Sequence, residues 1–212
     1  PLPTRRVAGM DAAGLRLTPD DPDTTVGRVD VWADPATGLP VRVELAGRGR
    51  VDPLFTSRFL QLRRATPGTA VLTPSIPDGA GFTVASATEV SDALANALPG
   101  RLPDTLVDRT RVSSVATAGA SGGAVYGSGF SAVVVLALPG RFGGRMLAAS
   151  RDAGGTPVPL AGAQAYELRA SLLTALIVRT GGDRATRRGW LLAGLVDPPL
   201  LRAAATELIG QR

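Results

Sequence analysis

The sequence predicts a strand-rich α+β protein: an antiparallel sheet, then a smaller α+β domain that ends in a helix. Three observations predict it. Short stretches of alternating apolar and polar residues are bounded by Pro, Gly and Asp, the punctuation of strands and turns. A segment dense in Pro and Gly, RATPGTAVLTPSIPDGAGF at 64–82, reads as a linker. Near the end, an Ala/Leu-rich run at 200–209 follows Asp197 and Pro198, an N-cap residue with proline at the first helical position. The expected division is a sheet domain at 1–66, a linker at 67–81 and a second domain at 82–212.

The first four strands are expected at 12–17, 27–34, 39–46 and 54–62. If DPATG at 34–38 is a hairpin loop, Val29 faces Val43, Val31 faces Val41 and Ala33 faces Leu39 on one side. On the other side Arg28 opposes Glu44, Asp30 opposes Arg42, and Trp32 lies beside Pro40. That register gives one apolar face and one largely polar face, as in antiparallel sheets wetted on one side. With Leu15 and Leu17 on the adjacent strand, the apolar face comprises Leu15, Leu17, Val29, Val31, Val41 and Val43. Such a face is either core or a shelter for an apolar ligand.

Beyond the linker, Thr88 caps a helix carrying Val90, Leu94 and Leu98 at helical spacing, and 104–110 offers a further helical turn. ATAGASGGAVYGSG at 116–129 reads as a Gly/Ser-rich connection. Strands are expected at 130–138, 145–150, 164–168, 172–180 and 189–196, before the closing helix.

Composition narrows the function. The 212 residues carry a net charge of +5, 26 Gly and 17 Pro, with 44% hydrophobic residues. All 23 basic residues are Arg, a bias typical of a GC-rich genome. Residues 1–66 hold ten Arg against eight acids, so no basic stripe marks a nucleic-acid surface. Cys and His are both absent, which removes disulfides, thiolate ligands and imidazole chemistry. No apolar run reaches the roughly 18 residues of a membrane span, and no signal peptide is present. A chain that opens PLPTRRVAGM reads as a mature or truncated fragment.

Motifs for catalysis lack their partners. GASGG at 119–123 matches a nucleophile-elbow pattern around Ser121, but there is no His or Lys to take its proton. YGSGF at 126–130 and GAGF at 79–82 lack the helix that follows a phosphate-binding loop. Asp20, Asp21 and Asp23 are oxygen-rich but miss the remaining features of a calcium loop. RATRR at 184–188 reads as a solvated hairpin tip. A carboxylate pair is the remaining enzymatic option, and Glu89, Glu167 and Glu207 sit in ordinary settings. The expectation is therefore no enzyme, no catalytic residues, no cofactor and no metal.

The order of motifs resembles a known family. RVAGMDAAGLRLTPDDPDTTVGRVDVWADPATGLPVRVEL with FTSRFLQL resembles the later strands of LolA-like domains, which carry a (V)WxDxxTGLPLRxE hairpin matched here at 31–44. VYGSGFSAVVVLAL and GWLLAGLVDPPLLRAAATELI are similar to the second domain of the RseB/MucB family of periplasmic stress-signalling regulators. The family's SDG is GSG here, at 127–129. That layout looks most like an actinobacterial relative that has both parts. The family's first domain is far longer than the segment before this linker, so the chain reads as N-terminally incomplete. The resemblance implies a partial LolA-like half-barrel and an RseB-C-like domain. It also implies an extracytoplasmic, non-enzymatic protein that binds lipid or a lipoprotein segment and signals to a membrane-bound partner such as an anti-sigma factor. Nucleic acid is not among the expected partners. The alternative is a cell-envelope protein-interaction module without a lipid site.

Overall fold

The alternating stretches of the first sixty residues form strands, and each pairs with its sequence neighbour because the turns between them are short. A computed structural model of the chain describes residues 1–63, 65–66, 68–69, 102–114, 123–138, 140–182 and 188–210. The first sheet is a five-stranded meander of β1 (Leu2–Val7), β2 (Met10–Leu17), β3 (Val26–Ala33), β4 (Pro40–Gly47) and β5 (Phe55–Arg58), in that order. The second sheet contains β6 (Thr105–Leu106), β7 (Arg109–Ser114), β8 (Gly123–Tyr126), β9 (Val133–Leu138), β10 (Thr156–Pro157), β11 (Ala163–Ala170), β12 (Leu173–Thr180) and β13 (Gly189–Gly194). Its order is β10-β11-β12-β13-β9-β8-β7-β6, and neighbouring strands are antiparallel throughout. Among the described residues two helices pack on it, α1 (Gly140–Asp152) and α2 (Pro198–Gly210). The protein is thus a strand-rich α+β fold, as the alternation and the closing helix predict.

Several elements differ from expectation. The polar segment LPTRRV forms the edge strand β1, which its exposed residues gave no reason to expect. The turn expected to be helical at 104–110 is the β6–β7 hairpin. Val107 and Asp108 take φ values of 45° and 60°, the two left-handed positions of a tight hairpin turn. Part of the Gly/Ser-rich connection is β8, whose Ala124 and Tyr126 are fully buried. The strand expected at 145–150 is helix α1. Gly143, Leu147 and Ser150 recur at helical spacing and are its buried residues, a pattern that the alternation of RMLAAS conceals.

The second sheet is covered on both faces. Leu176 and Val178 of β12 pair with Leu192 and Trp190 of β13 and meet Leu201, Ala204, Ala205 and Leu208 of α2. The intervening Ile177 points the other way and joins Leu138 of β9 and Leu147 of α1. Helix α2 is also fastened by charge. Buried Glu167 accepts hydrogen bonds from Arg202 at 2.8 and 3.0 Å and from Arg169 at 2.8 Å. Tyr126 donates its hydroxyl to the Pro103 carbonyl at 2.8 Å.

The β2–β3 loop joins the two sheets. Thr24 is fully buried and bridges to Val196. Its hydroxyl donates to the Leu195 carbonyl at 2.7 Å, with the Phe130 carbonyl at 3.0 Å, and accepts from the Val26 N–H. Thr25 donates its N–H to Leu195 and its hydroxyl to Leu172 at 2.6 Å, and the Asp197 N–H donates back to Asp23. Arg109 pairs with Asp23 across the junction. Asp21 is held below the usual carboxylate range, chiefly by a hydrogen bond from Ser131.

Two outcomes follow. Thr24→Val removes the buried hydroxyl that serves the Leu195 and Phe130 carbonyls and the Val26 N–H, and lowers stability by about 1–3 kcal/mol, read as a reduced urea midpoint at unchanged m value. Burial pushes the Tyr126 phenol up to about 12. Its ionised form favours the unfolded chain, where the phenol titrates near about 10. Stability should therefore be unaffected by this group below pH 10 and decline as pH rises toward 12. Tyrosinate absorbance in the folded protein should show the Tyr126 phenol ionising only well above pH 10.

Candidate functional site

Alternation along β2 to β5 places apolar side chains on one face of the first sheet. Leu17, Val29, Leu45 and Phe55 form one cross-strand row, and Leu15, Val31, Val43 and Ser57 form the next. One end of this face is core: Val26 and Val29 pack with Leu172, with Leu54 and Leu195 beside them. The other part is open. Leu15 is 52% exposed, Leu17 49% and Phe55 52%, while Val31, Val43 and Leu45 are half-buried. The exposed side chains stand on β2 and β5, at the two ends of rows whose half-buried members on β3 and β4 make the apolar surface continuous, and a contiguous apolar surface marks an interaction site more than scattered residues do.

The structure brings Leu15, Leu17, Val29, Val31 and Val43 together on this face. Val41 leaves it. Trp32 pairs with Arg42 and Ala33 with Pro40, so Val41 is the extra residue of a bulge. It is buried with Val7, Ala12 and Trp32 instead. The hairpin register also differs from the expected one by two residues: Val29 faces Leu45, Asp30 faces Glu44 and Val31 faces Val43. A two-residue shift preserves which face each side chain takes, so the apolar set survives while the expected charge pairs do not. Leu45 and Phe55 are members that the sequence reading missed. The alternation of Leu45 with Val43 is a readable signal; the placement of Phe55 depends on the β4–β5 register.

The reverse face is not simply polar, as had been expected. It holds a second small core around Trp32, which is 5% exposed. The Trp32 indole N–H donates to the Pro3 carbonyl at 3.1 Å. Arg5 stacks over the ring at 4.4 Å from its centroid and Arg42 lies at 5.8 Å. Gly14, opposite Trp32, leaves the ring its space: a Cβ there would come within 2.8 Å of the indole nitrogen and of Leu2 Cβ. Two facing carboxylates, Asp30 and Glu44, are buried beside it, and each is neutralised by arginines. Arg16 grips Asp30 through two bonds of 2.6 and 2.8 Å, and Arg28 adds a third at 3.2 Å. Glu44 accepts from Arg42 at 2.6 Å and Arg5 at 3.1 Å.

The Arg16 hydrogen bonds hold the Asp30 carboxyl below the usual range, against the opposing effect of burial. A carboxyl depressed in the folded state stabilises the fold above its unfolded value of about 3.9, and that contribution is lost as pH falls through the folded value. Asp30→Asn should therefore be less stable than the parent at pH 7. The gap should close as pH is lowered below about 4, read from urea midpoints across pH.

Other residues singled out in the sequence have structural roles or lie elsewhere. Ser121, Glu89, the GAGF stretch at 79–82, the helix expected from Thr88 and residues 184–187 lie outside the described residues. Asp21 and Asp23 serve the junction, and Asp20 joins no cluster suited to a metal ion among the described residues. Glu167 is engaged by two arginines, and Glu207 accepts the Val107 N–H at 2.8 Å. Gly127 and Gly129 take left-handed turn conformations with φ of 74° and 64°. No helix among the described residues is long and apolar enough to cross a membrane.

No protein-family model matches the sequence, and no curated protein matches it. Solved structures do. A chain of the Pseudomonas aeruginosa MucA/MucB complex superposes on 96% of this chain with a TM-score of 0.52 at 21% identity. A crystal structure of MucB in complex with MucA(peri) superposes on 96% with a TM-score of 0.51 at 19% identity. This chain spans 61% and 64% of the length of those two chains. At that identity the likeness is one of fold: the two-sheet α+β architecture is that of the MucB structures.

Proposed function

We propose that the protein is a non-enzymatic, extracytoplasmic regulator. It takes a lipid acyl chain or lipoprotein segment on the apolar face of its first sheet and relays that state to a membrane-bound partner of the anti-sigma class. One observation carries the reading: Leu15, Leu17 and Phe55 stand exposed around half-buried Val31, Val43 and Leu45. An acyl chain is the ligand that such a surface takes without demanding hydrogen bonds. The shared fold with MucB, solved in complex with MucA, supports a protein partner for this architecture.

A second reading has its own support. Val26 and Val29, at one end of the same face, are already packed against Leu172 as ordinary core. On that reading the face is partly filled, and the protein is an envelope interaction module with no lipid site.

Titration of the chain with a palmitoylated peptide and its unacylated twin tests the proposal. Saturable binding of the acylated form alone is expected. The Leu15→Glu/Phe55→Glu double variant should weaken it at least about tenfold, since each lost apolar contact is worth about 1.5–3 kcal/mol. Equal binding of both peptides, or none, overturns it. Pull-down from cell envelopes separates the second reading: displacement of the captured partner by an acyl competitor supports the lipid site, and indifference supports the module.

A further inference from the structure

Three buried carboxylates in this chain are each held by two arginines: Asp30 by Arg16 and Arg28, Glu44 by Arg5 and Arg42, and Glu167 by Arg169 and Arg202. Arg179 is the reverse case. Its Nε is buried without a hydrogen-bond partner, and no carboxylate pairs with it among the described residues. Near the end of β12, alternation turns Arg179 to the α1 side with Ile177. Its cross-strand neighbours are Gln164 of β11 and Gly189 of β13. Gly189 adds no side chain to the row. Helix α1 passes over it at Gly144, where a Cβ would lie 3.5 Å from the guanidinium carbon. The first turn of that helix holds no acidic residue.

Two clefts of about 400 and 490 Å³ adjoin the guanidinium, and both are bounded by Gln164 and Arg179. The first is also walled by Leu147, Pro157, Tyr166 and Arg151. Arg151 carries its own counter-charge, Asp152 at 3.1 Å. Among the described residues the cleft therefore presents one uncompensated positive charge beside aliphatic and aromatic walls. A partly desolvated guanidinium without an acceptor is unfavourable, and its planar fork matches the two oxygens of a carboxylate.

We propose that this cleft is a carboxylate-binding site, taking a monocarboxylate with a short aliphatic tail. The carboxylate oxygens accept from Arg179, and the tail lies against Leu147 and Pro157. A single negative charge balances the cleft, whereas a phosphate dianion leaves it in excess. The same chemistry is offered by a small free acid and by the C-terminus of a peptide. The site belongs to the second sheet and stands independently of what the first sheet binds.

Calorimetry and thermal melts of the chain test it, with butyrate, butyramide, inorganic phosphate and the peptide Ala-Ala-Val, free or amidated at its C-terminus, as probes. Butyrate is expected to bind saturably and raise Tm, while butyramide does neither and phosphate binds more weakly. Arg179→Met and Arg179→Gln should each weaken butyrate at least about tenfold, with ligand-free Tm no lower than the parent's. Arg145→Gln, an exposed charge on α1 outside the cleft lining, should stay within about twofold of the parent. Preference for the free over the amidated peptide identifies a chain terminus as the source. Binding of butyrate with neither peptide identifies a small acid, and both results uphold the site. Should the Arg179 variants fail to fold, the butyrate and butyramide comparison with the Arg145 control still decides. Overturning results are the absence of butyrate binding, equal binding of butyramide or phosphate, or folded Arg179 variants that bind as the parent does.

Discussion

The architecture depends on one buried hydroxyl. Thr24 sits where the loop leaving the first sheet meets the end of β13, and its side chain and its neighbours' backbone make hydrogen bonds that neither sheet can complete alone. Around it, Thr25 reaches Leu172, Asp23 meets Arg109, and Arg48 donates to the Thr24 carbonyl at 2.6 Å. A buried loop residue such as Thr24 is otherwise costly, because its backbone groups find no water. Here those groups are answered from the opposite sheet, so the loop works as a joint. It also sets the extent of the apolar face: Val26 and Val29 are covered because the joint brings Leu172 and Leu195 against them, and the strands farther out remain open.

Arginine organises the buried charge. A chain without lysine answers Asp30, Glu44 and Glu167 with planar forks, which donate several directed bonds at once. Asp30 and Glu44 face each other across β3 and β4, a pairing that repels unless both are neutralised. Four guanidinium groups do so, and two of them also stack on Trp32. The reverse face thereby has its carboxylates paired and Trp32 covered, which leaves the other face of the same sheet as the one with unspent apolar surface. The same economy makes Arg179 stand out, because the fold builds around it a cleft in which no carboxylate among the described residues answers it.

Fold class and most strands were legible because they rest on local alternation and on punctuation by Gly and Pro. β3, β4, β12, β13 and α2 stand close to where those signals place them. Elements without an apolar rhythm were not legible. β1 is polar and owes its strand to pairing with β2, and β8 hides in a glycine-rich stretch, strand-like only because β7 and β9 flank it. Helix α1 was misread since a short apolar run satisfies both periods, and only its packing on Ile177 and Leu138 chooses between them. The candidate face was mostly legible, for a two-residue register shift moves partners without changing faces.

The sequence by itself determined the α+β class, the alternation that gathers Leu15, Leu17, Val29, Val31 and Val43, and the want of any imidazole or thiol chemistry. Tertiary structure decided the rest. It drew Val41 into the Trp32 core through a bulge, covered one end of the apolar face and left the other open, and stranded the charge of Arg179 beneath α1. Side-chain direction follows from neighbours one and two residues away. Burial and charge compensation depend on partners dozens of residues distant, which no local pattern encodes.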